Sequence, residues 1–188
     1  MKSTAPVILA LGLLALQGAA HADPVIADLE VAHRDGQVIA SCRLENGLSE
    51  EVDEEIAAGL EVTVEYRLHA YRRRAGFPDA LLAKRRVDCS VRLDTLTRQY
   101  TLTRRVDGEI ADTRVTADAG EMREFLTRLR DVPVVDERLL EPDRRHYLKV
   151  KSNLGLVWRF YLIPWMLNTG WARRDIGPPP GKGHATQP

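Results

Sequence analysis

Between residues 60 and 70 the apolar side chains Leu60, Val62, Val64, Tyr66, Leu68 and Ala70 alternate without a break with Glu61, Thr63, Glu65, Arg67 and His69. Successive side chains of a β-strand leave on opposite faces, so an alternation of this length predicts a strand with one face in a core and the other in water. The same period recurs where Val38, Ala40, Cys42 and Leu44 alternate with Ile39, Ser41 and Arg43. It recurs again where Val87, Cys89, Val91 and Leu93 alternate with Asp88, Ser90 and Arg92. Further strands are predicted over residues 25–33, 99–106, 109–115 and 147–154. The tetrapeptides RDGQ (34–37) and VDGE (106–109) carry the Asp-Gly pair of tight hairpin turns. The pattern predicts an all-β fold, an antiparallel β-sandwich of about seven strands with two short helices.

The first helix is predicted over 49–58, with Ser49 as its cap, acidic residues in its first turn and Gly59 as its stop. Only Val52, Ile56 and neighbouring alanines are apolar, which suits a helix covering a sheet edge. The second is predicted over 118–130, where Met122, Phe125, Leu126 and Leu129 form one stripe at helical spacing and read as core.

At the N-terminus, Lys2 precedes an apolar run from Val7 to Ala20, and Ala20 and Ala22 flank His21. This is the pattern of a secretory signal peptide over 1–22 with an A-x-A type cleavage site. The apolar run is shorter than the ~20 residues a membrane span needs, so no transmembrane segment is expected after cleavage. The reading predicts an exported, periplasmic protein with one domain over 23–176 and a disordered Pro- and Gly-rich tail over 177–188. The stretch VWRFYLIPWMLNTGW (157–171) holds all three tryptophans. It reads as an edge strand or turn closing the core, with a membrane-surface or partner-binding patch as the alternative.

Lysine and arginine total 27, matched by 27 acidic residues. That balance argues against a general polyanion binder, and export makes nucleic acid an unsuitable partner. Four serines lie beyond the leader, at 41, 49, 90 and 152, and none sits in a G-x-S-x-G turn. The histidines at 33, 69, 146 and 184 are scattered rather than spaced as metal ligands, and no glycine-rich phosphate loop is present. No catalytic residue, metal or cofactor is therefore predicted. Cys42 and Cys89 both lie on apolar strand faces and form a candidate disulfide in an oxidising compartment; two separate buried thiols are the alternative.

The runs AAGLEVTVEYRLHAYRRR, SVRLDTLTRQYTL, ADAGEMREFLTRL, HYLKVKSNL and LNTGW resemble, in that order, a family of exported bacterial proteins catalogued as domain of unknown function 4390. The likeness spans about residues 30–172. It implies a proteobacterial envelope protein without an established activity, and it carries over no catalytic or binding residues.

Successive hairpin tips alternate between the two ends of a sandwich. The turns near Gly76 and Gly108 are therefore expected at one end, where Arg72, Arg73, Arg74, Lys84, Arg85, Arg86, Arg104 and Arg105 would gather as a candidate anion-docking cluster. Glu50, Glu51, Asp53, Glu54, Glu55 and Asp94 are expected at the other end. Concentrated like charge costs self-repulsion unless a counter-charge is near. The cluster predicts a binding or assembly module that docks an envelope protein or an anionic lipid or polymer; the bland alternative is solvated hairpin tips. An envelope hydrolase without a recognisable motif and a small lipophilic-molecule carrier remain as rival classes.

Overall fold

The computed structural model describes residues 22–154, 157–159, 163–165 and 168–178. In chain order the elements are β1 (Val25–Arg34), β2 (Gln37–Glu45), α1 (Glu50–Ala57), β3 (Val62–Arg72), β4 (Ala80–Asp94), β5 (Gln99–Val106), β6 (Glu109–Thr116), α2 (Ala119–Thr127), β7 (Arg128–Asp136), β8 (His146–Leu154), β9 (Val157–Arg159), β10 (Ile163–Trp165) and β11 (Ala172–Ile176). A six-stranded antiparallel sheet runs β11-β8-β3-β4-β5-β6, and a three-stranded antiparallel sheet runs β1-β2-β7. Both Asp-Gly turns form as expected. Asp35 and Gly36, like Asp107 and Gly108, have positive φ at both central positions, the backbone that suits a twisted two-residue hairpin.

The inner residues of β3, Val64, Tyr66, Leu68 and Ala70, are fully buried. They join Val87, Cys89 and Val91 of β4, Leu148 and Val150 of β8, and Val38, Ala40 and Cys42 of β2 in one continuous core between the sheets. α2 closes that core with Met122, Phe125 and Leu126. Val52 and Ile56 of α1 are also part of it, so this helix contributes to the core as well as covering β3 and β4.

Three expectations are corrected: the strand expected from residue 60 begins at Val62 and leaves Leu60 56% exposed, and the other two concern the helices. The helix predicted over 118–130 ends at Thr127, and the chain turns directly into β7. Leu129 completes the helical stripe by its spacing, yet with Val132, Val134 and Val135 it is buried from a strand. Pro133 does not prevent this, because β7 is the outer strand of its sheet, where a missing N–H interrupts no ladder. Ser49 occupies the cap position of α1, but its hydroxyl makes no cap hydrogen bond. The free N–H groups there are met by the field of Glu50, Glu51 and Asp53 in the first turn. Of the aromatic stretch over 157–171, expected as an edge strand or turn, residues 157–159 and 163–165 form the backbone hairpin β9–β10 with Pro164 opposite Trp158, Trp171 is 44% exposed, and residues 160–162 and 166–167 fall outside the described residues. The predicted leader, apart from Ala22, and the predicted tail beyond Pro178 fall outside the described residues.

The Tyr66 hydroxyl donates to the Leu126 carbonyl at 2.7 Å, tying the centre of the large sheet to the last turn of α2 in a buried setting. Tyr66→Phe leaves that carbonyl unpaired. It is expected to lower stability by about 1–2 kcal/mol without changing the urea m-value, as read by equilibrium unfolding.

Candidate functional site

Directly opposed residues of an antiparallel pair share a face, so the register of the large sheet specifies what its outer surface presents. His69 of β3 stands opposite Lys84 on β4 and opposite Lys149 on β8, and Lys149 stands opposite Arg173 on β11. One step along, Arg67 stands between Arg86 and Lys151. Two adjacent cross-strand rows of basic side chains thus cover about 15 Å of sheet, taking ~4.8 Å per strand.

The carboxylates on this face are offset from the rows. Glu65 takes Arg67 Nε at 2.5 Å and Arg86 Nε at 2.9 Å, and Asp88 takes Arg86 Nε at 3.0 Å. Asp175 lies 3.6 Å from Arg173. The six cations of the two rows therefore meet three carboxylates. Among the described residues Lys84, Lys149 and Lys151 have no carboxylate partner, and these three surround His69. The His69 imidazole is held below its ordinary pKa, first by desolvation and then by Lys84, Arg67, Lys151 and Lys149.

Aromatic rings lie among the cations. Tyr71 stacks on Tyr147 with centroids 5.3 Å apart, and His69 packs at 4.9 Å against the half-exposed Trp171. Lys149 Nζ lies over both tyrosine rings, Lys151 Nζ lies 5.1 Å over Trp171, and the Arg173 guanidinium covers Tyr147 at 3.7 Å. Such cation–ring contacts give the long side chains preferred resting positions without neutralising them.

The eight basic residues expected to gather at one end do not form a single cluster. Both bends lie at the same end of the sheet, but the β5–β6 turn stops beside Arg86, whose carbonyl accepts from Asp107 N at 2.8 Å. β4 runs six residues further to Ala80, ~20 Å beyond that turn at ~3.3 Å per residue. Lys84 and Arg86 join the outer face, and Arg105 lies on the same face opposite Asp88. Arg85 is tied to Asp107 at 2.6 Å. Arg104 turns inward and lies 4.9 Å from the Phe125 ring centroid, in a cleft of about 290 Å³. The acids of that cleft already hold its other arginines, Glu121 pairing with Arg114 and Glu124 with Arg128 and Arg130. Arg72 pairs with Glu141. Arg73 and Arg74 stay at the β3–β4 tip, where Arg145 joins them through the bond from Arg73 N to Arg145 O at 2.9 Å. The acidic residues of α1 lie at the opposite end, where Gly59 abuts the Leu93 carbonyl next to Asp94.

Ser41 accepts from Asp131 N and Ser90 shares a hydrogen bond with Thr63. His33 bridges Glu137 and the Gly177 carbonyl, and His146 is buried. Residues 22–156, most of the chain, match the family described as Domain of unknown function (DUF4390). The chain belongs to this family. No curated protein and no solved structure matches the chain. The family description supplies no residue roles, so any role for this DUF4390 chain has to come from its own geometry.

Cys42 and Cys89 extend into the core from opposite sheets, and both are free thiols. Burial pushes Cys42 up to about 12, with Cys89 adding to the rise, and burial also raises Cys89. A thiol of pKa 12 is ionised to only about one part in ten thousand at pH 8, and the thiolate is the reactive form. Both cysteines of the folded, reduced protein should react with iodoacetamide at least ~100-fold more slowly at pH 8 than in guanidinium. Equal rates in the two conditions would contradict their burial. Two labels on unreduced, denatured protein would exclude the Cys42–Cys89 bridge.

Proposed function

We propose that this protein is a non-enzymatic binding module of the bacterial cell envelope, exported by its N-terminal segment, that docks an anionic glycan chain on the outer face of its large sheet. The observation that carries the reading is the pair of cross-strand cation rows, Lys84–His69–Lys149–Arg173 and Arg86–Arg67–Lys151. Like charges directly opposed across strands are destabilising. An anion lying along the rows relieves that repulsion and gains lysines that no carboxylate holds.

The rings favour a sugar polymer as the source of the anion. Trp171, 44% exposed, offers an aromatic surface beside Lys151, so a pyranose can lie against the ring while its carboxylate or phosphate meets an ammonium. An open sheet face also suits an extended chain better than a compact small molecule, which needs a concavity.

The test uses polygalacturonate, with one carboxylate per sugar, against uncharged dextran of matched length, both measured by calorimetry. Polygalacturonate is expected to bind and dextran not, with affinity falling as salt rises. Replacing Lys84, Lys149 and Lys151 together by serine should weaken binding at least tenfold, and Trp171→Ala should weaken it by a smaller factor. Equal binding of both polymers, or full affinity in the triple variant, would overturn the reading.

A further inference from the structure

The tip of the β3–β4 hairpin has a chemistry that differs from the outer face. Beyond Arg72 the chain leaves the sheet, turns through Gly76 at φ +75°, and re-enters at Ala80. Phe77, at the apex, is 75% exposed, and Leu81 on the returning strand is 42% exposed. A large apolar ring held out in water at the end of a long hairpin has no packing role inside the chain.

The loop that carries Phe77 is anchored at its base. Asp79 accepts from Arg74 N at 3.1 Å and from the Tyr147 hydroxyl at 2.7 Å, and Arg73 N donates to the Arg145 carbonyl. The Tyr147 and Arg74 hydrogen bonds hold the Asp79 carboxyl below its ordinary pKa, so it stays ionised as a latch. Arg73, Arg74 and Arg145 are exposed and form no ion pair among the described residues, whereas Glu141 holds Arg72 and Arg144. Asp143 is the other acid nearby and is exposed.

We propose that this tip is a membrane-surface anchor that seats in the headgroup layer of an anionic phospholipid bilayer, Phe77 entering the acyl boundary while Arg73, Arg74 and Arg145 take the phosphates. One protruding ring is far smaller than the ~800 Å² that each side of a stable protein interface buries. It suits the water–lipid boundary, where an apolar residue needs only to sink a few ångströms and basic neighbours add attraction to anionic headgroups. Arginine forks match phosphate oxygens through two hydrogen bonds. The inference is independent of glycan docking, because the residues that meet lipid, Phe77, Arg73, Arg74 and Arg145, are not those of the cation rows; Tyr147 alone touches both, packed under Lys149 and Arg173 and bonded to Asp79 of the loop.

The decisive experiment attaches the environment-sensitive fluorophore NBD to the full chain at Phe77→Cys, and in a second variant at Leu96→Cys. Leu96 is 93% exposed in the β4–β5 turn at the opposite end of the sheet, and the buried native cysteines resist the label. Mixed with phosphatidylglycerol vesicles, the probe at 77 should brighten several-fold and the probe at 96 should not. Phosphatidylcholine vesicles should leave both unchanged. Arg73→Ser with Arg74→Ser should raise the lipid concentration for half-response about 25-fold, at roughly fivefold per arginine. Glycan binding by that double variant should be normal, which separates failure of the anchor from failure of the docking face. No brightening at 77, equal brightening at 96, or an equal response on neutral vesicles would overturn the anchor.

Discussion

The inner face of β3 sets everything on the outer one. Val64, Tyr66, Leu68 and Ala70 have no solvent exposure, and burial of a full-sized apolar side chain is worth about 1.5–3 kcal/mol. A slip of one residue against β4 or β8 would move the whole set into water, so the register cannot yield to the surface. Opposed surface charges act on a scale of about 0.2–1 kcal/mol per pair and lose that contest. The core therefore holds Lys84, His69 and Lys149 in line, and Arg86, Arg67 and Lys151 beside them. Glu65 and Asp88 offset part of the repulsion around Arg67 and Arg86, and the remainder, centred on the three lysines, persists until a ligand or solvent ions relieve it.

The molecule combines this face with a clear polarity of its ends. The acidic helix α1 lies at the end where β4 reaches Asp94, and the β3–β4 tip with Phe77 marks the other. A module seated by that tip would hold the cation rows upright from the bilayer, with the acidic end pointing away from anionic headgroups. A chain neutral in total is thus strongly uneven in space, which composition alone cannot convey.

Strand positions are legible because period-two alternation is a local property: 38–44 and 87–93 fall within observed strands, and the run from 60 does so from Val62 onward, Leu60 and Glu61 lying before the strand. Both Asp-Gly turns were legible for the same reason. β7 was hidden because Leu129 sits at helical spacing from Phe125 and Leu126 while Pro133 argues against a strand, and the edge position that resolves both is a tertiary fact. β11 is five residues long and carries Arg173, Arg174 and Asp175, so it has little apolar pattern to read. The candidate site was half legible. Lys84 and Arg86 stand out in the sequence by their charge, but their partners Lys149, Lys151 and Arg173 belong to strands whose order in the sheet no local pattern encodes. His69 reads as an ordinary solvated histidine until β4 and β8 are placed on either side of it.

The most direct measurement of the central claim is the NMR titration of the His69 ring, which sits inside the proposed field. In the free protein at low salt it should titrate below the ordinary histidine value of ~6.5, and saturating polygalacturonate should move it upward as the carboxylates offset Lys84, Lys149 and Lys151. An imidazole that titrates at or above 6.5 in the free protein, and is unmoved by the polyanion, would contradict the account.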